Sequence, residues 1–169
     1  MLVRPARHDD LPEIARVHVA SAAAAYGDLI PAGGDELARR TGHWTTTLDD
    51  PACSPFVAVA DGEIVGVLNV SPGVAGPRTG ELDLLYVHPD WWGSGAGQLL
   101  IEQAHRVLDE RFETATLTVL ADNARARRFY ERNGWHYEAT VVEPHFGGHP
   151  TKVARYARAR CPDAAHRSP

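Results

Sequence analysis

Apolar side chains recur with two periods along the chain, and the period separates predicted helices from predicted strands. In residues 9–26 they recur every three or four positions, with Leu11, Ile14 and His18 on one stripe, which predicts an amphipathic helix. Asp10 stands where a helix-capping side chain is expected. Three further segments carry a helical pattern: residues 33–48, 97–112 and 122–135.

Shorter apolar runs, bounded by turn residues, predict strands. Phe56–Ala60 and Glu63–Val70 flank Asp61-Gly62, a dipeptide that favours the tight turn of a hairpin. The other predicted strands are residues 2–6, 80–87, 114–120, 135–144 and 151–160.

The order of these elements predicts the fold class. A strand is followed by two helices, three strands, a helix, a strand, a helix and two strands. We therefore expect one α+β domain over residues 1–160, in which a mixed, mostly antiparallel sheet of about seven strands is flanked by four helices in an α/β sandwich-like arrangement. Residues 161–169 are expected to form a polar C-terminal tail.

Composition and charge exclude several classes of partner. The net charge is −5, and of the 17 basic residues only Lys152 is a lysine, so a nucleic-acid-binding surface is not expected. No segment approaches the roughly 20 apolar residues of a membrane span, and the N-terminus lacks the apolar core of a signal peptide. The two cysteines, Cys53 and Cys161, form no disulfide framework. A cytoplasmic protein without membrane contact is therefore expected.

Three glycines, Gly93, Gly95 and Gly97, lie between a predicted strand and a predicted helix. They form either a plain turn or a cradle in which backbone N–H groups at a helix start bind phosphate. The dinucleotide fingerprint is excluded because Gln98 occupies its third glycine position. The Walker loop is excluded because no lysine follows the glycines.

The segment LYVHPDWWGSGAGQLL resembles the acetyl-CoA loop of the GNAT superfamily of N-acetyltransferases, V-x-P followed by R/Q-x-x-G-x-G/A. Val87, Pro89, Gly95 and Gly97 match, whereas Trp92 replaces the arginine or glutamine. The resemblance implies that the cosubstrate acetyl-CoA is held mainly by backbone groups of this loop. The implied cofactor-binding residues are Trp92, Gly93, Ser94, Gly95, Ala96 and Gly97.

A second segment, NARARRFYERNGW, is similar to the superfamily pattern N-x-x-A-x-x-F-Y-x-x-x-G-F/W. Its Asn123 and Tyr130 are seven residues apart and so share a helix face. The resemblance implies that Asn123 holds the pantetheine arm and that Tyr130 protonates the departing thiolate. From the residues alone, Asn123 is equally a helix cap and Tyr130 a core aromatic. The opening of the chain is similar to that of many small bacterial members, so the likeness runs from Leu2 to about Ala159.

The resemblance also gives roles to the strand over residues 80–87. It implies that this strand leaves its neighbour at a bulge and that the main chain of Leu85, Tyr86 and Val87 pairs with the pantetheine. Glu81 and Asp83 are two residues apart and should point to one face of the strand. We expect Glu81 to act as the base that takes the proton of the amine, with Asp83 or a water as the alternatives. Both acids are nearly as compatible with a solvent-exposed strand end.

The acceptor pocket is less well defined by the sequence. Candidate pocket residues are Tyr26, Trp44, Asp83, His145 and Phe146, and each aromatic among them is equally compatible with a core position. His149 is placed beside the same pocket. Nine histidines occur, but no cysteine or acid completes a zinc set, so no metal is expected. Arg127 or Arg128 is best placed for the 3′-phosphate of CoA.

These expectations converge on an acyltransferase. The predicted reaction is transfer of acetyl from acetyl-CoA to a primary amine of a small molecule, amino acid or peptide, by direct attack in a ternary complex. The alternative is a non-catalytic acyl-CoA-binding sensor or interaction module, which would need neither Tyr130 nor Glu81. A homodimer is compatible with either function.

Overall fold

The computed structural model describes residues 1–27, 35–145 and 149–160. Seven strands and four α-helices occur within these ranges, in the predicted order. The strands are β1 (Leu2–Pro5), β2 (Ser54–Ala60), β3 (Glu63–Pro72), β4 (Thr79–Val87), β5 (Thr114–Leu120), β6 (His136–His145) and β7 (His149–Ala159). The helices are α1 (Leu11–Tyr26), α2 (Glu36–Asp49), α3 (Ala96–Arg111) and α4 (Ala124–Arg132). The predicted tail, residues 161–169, lies outside the described residues.

All seven strands form one sheet in the order β1-β2-β3-β4-β5-β7-β6. Every neighbouring pair is antiparallel except β4 and β5, which run parallel. The mixed, mostly antiparallel sheet is thus confirmed. The hairpin between β2 and β3 turns at Asp61 and Gly62, with φ of 52° and 87°, as the sequence of that turn predicts.

Helices cover both faces of the sheet and create two cores. On one face α3 packs against the sheet, burying Leu82 together with Leu100 and Leu108. On the other face α1 and α2 contribute Ile14, Val17 and Trp44, which pack with Val57, Ile64 and Val67. We refer to this second side as the α1–α2 face.

Where β4 pairs with β3, one extra residue is inserted in β4. Asn69 faces Leu84 and Val70 faces Leu82, so Asp83 is a β-bulge residue. The bulge changes which side chains share a face, because Leu82 and Leu85 both pack in the α3 core while Leu84 packs on the α1–α2 face.

The start of α1 differs from the prediction. Asp10 precedes the helix but makes no side-chain capping bond to it. Its carboxylate instead accepts two hydrogen bonds from Arg4, at 2.7 and 2.8 Å, and one from the Arg7 amide at 2.8 Å. A nearby guanidinium is the stronger partner, and the Arg4 hydrogen bond lowers the pKa of Asp10.

Candidate active site

The parallel contact between β4 and β5 is short, and it leaves one edge of β4 open. Only Thr79, Gly80 and Glu81 pair with β5. The amide of His88 donates to Val65 of β3 at 2.8 Å. Backbone groups alternate between the two sides of an antiparallel strand. Because His88 points its N–H toward β3, the N–H and C=O groups of Leu85 and Val87 point the other way, toward the open edge.

Two side chains already occupy the Val87 carbonyl at this edge. It accepts from Ser21 Oγ at 2.9 Å and from Trp92 Nε1 at 2.8 Å. The N–H of Val87 and both backbone groups of Leu85 therefore face the gap between β4 and β5. The backbone groups of Tyr86, which alternate with those of Leu85 and Val87, point toward β3 instead. Sequence reasoning did not find Ser21, whose contact joins residues 66 positions apart.

The glycine loop turns sharply and then starts α3. Gly93 and Gly95 have φ of 84° and 92°, and a Cβ at either would meet no atom within 4 Å. Ser94 Oγ accepts from the Ala96 amide at 3.3 Å, and the Leu99 amide donates to the Gly95 carbonyl at 3.1 Å. The amide of Gly97, between those two, lies in the first helical turn, where N–H groups have no intrahelical acceptor. Such a turn favours an anion.

An arginine that sequence reasoning did not select lies against this loop. The Arg125 guanidinium stacks 3.5 Å from the centre of the Trp92 ring, a cation–π contact, and burial lowers the pKa of Arg125. Trp92 is 40% exposed. Arg127, predicted to meet a phosphate, instead donates to Tyr156 Oη at 2.9 Å and to the Ala121 carbonyl at 3.1 Å. These internal bonds remove Arg127 from the predicted role.

Helix α4 brings Asn123 and Tyr130 beside the start of α3. A Cβ at Gly97 would lie 3.7 Å from the Phe129 ring and 3.8 Å from Val87, so the loop, α4 and β4 meet there. Asn123 Oδ1 accepts from the Ala126 amide at 3.0 Å, which confirms the helix cap. Tyr130 is buried in the α3 core.

Glu81 and Asp83 share the α1–α2 face, because Leu82 between them packs into the α3 core. Asp83 accepts from Asn69 Nδ2 at 2.7 Å. Burial, and then the charge of Asp83, raises the pKa of Glu81. Asp83 is exposed at the strand surface, yet the surrounding protein desolvates its carboxylate, and this raises the pKa of Asp83 despite hydrogen bonds from Ser71 and Asn69.

Trp44 does not line a pocket wall as predicted. It is fully buried, and its indole Nε1 donates to His18 Nδ1 at 3.0 Å. Trp44 is therefore a core residue, the alternative that the sequence also allowed. The neighbouring His43 is exposed on the same face. The other predicted pocket aromatics are not described: the side chains of Tyr26 and His145, and all of Phe146, lie outside the described residues, as does the side chain of His149.

Metal-binding clusters and membrane-spanning helices are both absent from the described parts of the chain. Among residues 1–27, 35–145 and 149–160, no three His, Cys, Asp or Glu side chains gather closely enough to hold a metal ion. Over the same ranges, none of the helices combines the length and apolarity required to cross a bilayer.

Comparison with known proteins gives this arrangement a family. The sequence profile of the Acetyltransferase (GNAT) family matches residues 21–135, which include the open edge, the glycine loop and α4. The chain belongs to the GNAT family. The resemblance noted from the two motifs is thereby confirmed.

Individual GNAT relatives extend over most of the chain. A protein of Archaeoglobus fulgidus named as an uncharacterized N-acetyltransferase is 31% identical over 135 residues, covering 77% of this chain and 89% of its own. The L-amino acid N-acetyltransferase AaaT of Escherichia coli strain K12 is 26% identical over 144 residues, 83% of this chain and 85% of AaaT. The ribosomal-protein-alanine N-acetyltransferase of Brucella melitensis has the same fold, with a TM-score of 0.75 at 20% identity over 94% of this chain and 99% of its own.

Proposed function

We propose that this GNAT protein transfers the acetyl group of acetyl-CoA to a primary amine of a small molecule, amino acid or peptide. The observation that carries the proposal is the meeting of three features: the open edge of β4, the glycine turn at the start of α3, and helix α4, which Asn123 caps. Together they offer backbone donors, a helix N-terminus and a side-chain amide along one groove.

Each part of the groove suits one part of the cosubstrate. The loop from Trp92 to Gly97 would hold the pyrophosphate, with Arg125 adding a positive charge beside Trp92. The backbone groups of Leu85 and the N–H of Val87, which face the open edge, would pair with the pantetheine as an added strand does. Asn123 Oδ1 is used by the cap, so its Nδ2 group would donate to a pantetheine carbonyl.

The acetyl group would be attacked directly by the amine. An amine needs a free lone pair, and Glu81 would take its proton, with Asp83 as the second choice. The N–H of Leu85 or Val87, at the open edge, would polarise the carbonyl that is attacked, and Glu81, nearer the start of β4, would take the proton through water. Tyr130 would donate a proton to the departing thiolate. Acetyl transfer needs no cysteine nucleophile in this scheme, and Cys53, whose pKa is raised mainly by burial, is a poor one.

The acceptor would enter from the α1–α2 face, where the two carboxylates attract a protonated amine before it loses its proton. The proposal places this reaction in the cytoplasm, where reducing conditions suit the free thiol of Cys53.

The first experiment combines binding with turnover. Acetyl-CoA should raise the melting temperature of the protein, and a panel of primary amines should produce CoA release above the rate of hydrolysis. Stabilisation by acetyl-CoA with no release for any amine would contradict the proposed transfer and leave a binding module. CoA release that is as fast without an amine as with one would contradict transfer to the amine.

A further inference from the structure

His18 of α1 has no role in the scheme above, although it lies on the acceptor face. Its ring is 1% exposed and stacks on the Tyr86 ring of β4 with centroids 4.4 Å apart. One turn further along α1, Ser21 binds the Val87 carbonyl. Helix α1 therefore lies beside the C-terminal end of β4, where the edge toward β5 is open.

The hydrogen bond from Trp44 fixes the chemistry of this histidine. An indole N–H only donates, so His18 Nδ1, which accepts it at 3.0 Å, carries no proton. In the neutral ring the proton must then be on Nε2. Burial, followed by the charges of Arg40 and His43, lowers the pKa of His18 to about 3. His18 is thus a neutral group that presents a permanent Nε2–H donor.

That donor has no acceptor among the residues the structure describes. Over the same residues, every fully buried side-chain nitrogen and oxygen has a hydrogen-bond partner. The slight exposure that His18 retains, 1% of the residue, must therefore include Nε2. His43 affects the pKa of His18 and is itself affected by Asp83, so the donor and the carboxylate share the α1–α2 face.

We infer that His18 Nε2–H binds a neutral oxygen next to the reacting amine, and that the acceptor is an α-amino amide: the amino terminus of a peptide or an amino-acid amide. This inference rests on the proposed function. An uncharged donor suits a carbonyl, whereas a free carboxylate would face Glu81 and Asp83 without a cation from His18. A simple alkyl amine would leave the donor unused.

The test compares alaninamide with isopropylamine, which has a methyl group in place of the carboxamide, and with alanine. The wild type should prefer alaninamide to alanine. His18→Phe keeps a ring but removes the donor, so the ratio of kcat/KM for alaninamide to that for isopropylamine should fall about tenfold, the effect of one neutral hydrogen bond. Each acceptor is compared with itself between variants, so differences in amine pKa cancel.

His105→Phe is the matched control. His105 Nε2 likewise accepts an indole N–H, from Trp135 at 3.0 Å, but His105 belongs to α3 on the opposite face of the sheet. His105→Phe also removes a hydrogen bond between a histidine and an indole N–H, and the ratio of kcat/KM for alaninamide to that for isopropylamine should not change. An unchanged ratio in His18→Phe, an equal change in both variants, or a wild-type preference for alanine would overturn the inference. If the wild type acetylates no amine at all, the proposed function itself is wrong.

A measurement on the wild-type protein covers the case in which His18→Phe does not fold. Nitrogen-15 NMR should show His18 protonated on Nε2 alone from about pH 4 to pH 8, because its pKa is about 3. With CoA bound, alaninamide should shift the Nε2 and Hε2 signals and isopropylamine should not. A proton on Nδ1, or no shift at saturating alaninamide, would overturn the assignment.

Discussion

The side chain of Asn123 carries a hydrogen-bond acceptor, Oδ1, and a donor, Nδ2, and the structure shows that the acceptor is already bonded within the protein. Oδ1 caps α4 through the Ala126 amide, whereas Nδ2 is the group proposed to hold the pantetheine. The sequence alone left helix cap and ligand contact as alternatives for this residue. The structure makes them compatible, because they use different atoms.

Asn123→Asp separates these two functions. Aspartate is as good a cap as asparagine, so the free energy of unfolding should be preserved while the lost Nδ2 donor raises the KM for acetyl-CoA about tenfold. Asn123→Ala should raise the KM and also destabilise the protein by about 1 kcal/mol. A wild-type KM in Asn123→Asp, measured beside thermal unfolding, would leave Asn123 as a cap only.

Tyr130→Phe tests the proposed acid. The ring remains in the core, so acetyl-CoA affinity should be unchanged while kcat falls by roughly 10²-fold, as expected for loss of general acid catalysis. Calorimetry and steady-state kinetics measure the two quantities separately. Equal losses of affinity and rate, or no loss, would assign Tyr130 to packing.

Glu81 gives a prediction about pH. Its pKa is raised by burial and by Asp83, so kcat/KM should decrease on acidification at a pH above the ordinary glutamate range. In Glu81→Gln this acidic limb of the pH profile should be absent. The pH profile should be measured with two amine acceptors of different pKa, because a limb caused by the amine moves with the pKa of the amine and a limb caused by the enzyme does not. A limb that persists in Glu81→Gln points to Asp83, and Asp83→Asn is then the next variant.

The same shift has a consequence for stability. A carboxyl whose pKa is raised by folding favours the native state below its unfolded pKa, and this contribution is lost as pH rises through the folded pKa. Glu81→Gln should therefore match the wild type near pH 4 and be at least as stable at neutral pH. Urea unfolding at both pH values checks this, and a variant that is less stable only at neutral pH would contradict it.

At the scale of elements, local chemistry was predictable and long-range pairing was not. The Asp61-Gly62 turn, the Asn123 cap and the left-handed Gly134, with φ of 80°, follow from residues adjacent in sequence. The backbone direction of Tyr86 depends on its register with β3 and on the bulge at Asp83. Likewise, the stacking of Arg125 on Trp92 joins α4 to the loop before α3, and no short motif encodes it.

The glycine loop can be tested against a glycine of equal backbone strain elsewhere. Gly95 and Gly134 both have positive φ, 92° and 80°, and open space around a Cβ, so an alanine at either should destabilise the fold by about 1–2 kcal/mol. Only Gly95→Ala should also weaken acetyl-CoA binding, by tenfold or more, because the amides of the cradle must move. Equal affinities of Gly95→Ala and Gly134→Ala in calorimetry would contradict the cradle.

At the scale of the whole molecule, the sheet divides the proposed chemistry between two sides. In the proposed reaction the α3 side and α4 would bind acetyl-CoA, while the α1–α2 face would supply the carboxylates and the His18 donor. The parallel contact between β4 and β5 covers only three residues of β4, and beyond it the two strands separate. The order of elements was enough to predict the sheet, but this gap was known only through the family resemblance.

The central claim is direct transfer of acetyl from acetyl-CoA to an amine, and carbon-13 labelling tests it most directly. Acetyl-CoA labelled at the acetyl carbonyl is mixed with the protein and alaninamide, and product and protein are analysed by mass spectrometry. The account predicts one labelled N-acetyl amide for each CoA released, and an unlabelled protein when the amine is omitted. CoA release without labelled amide, or a labelled protein that later passes its acetyl group to the amine, would contradict it.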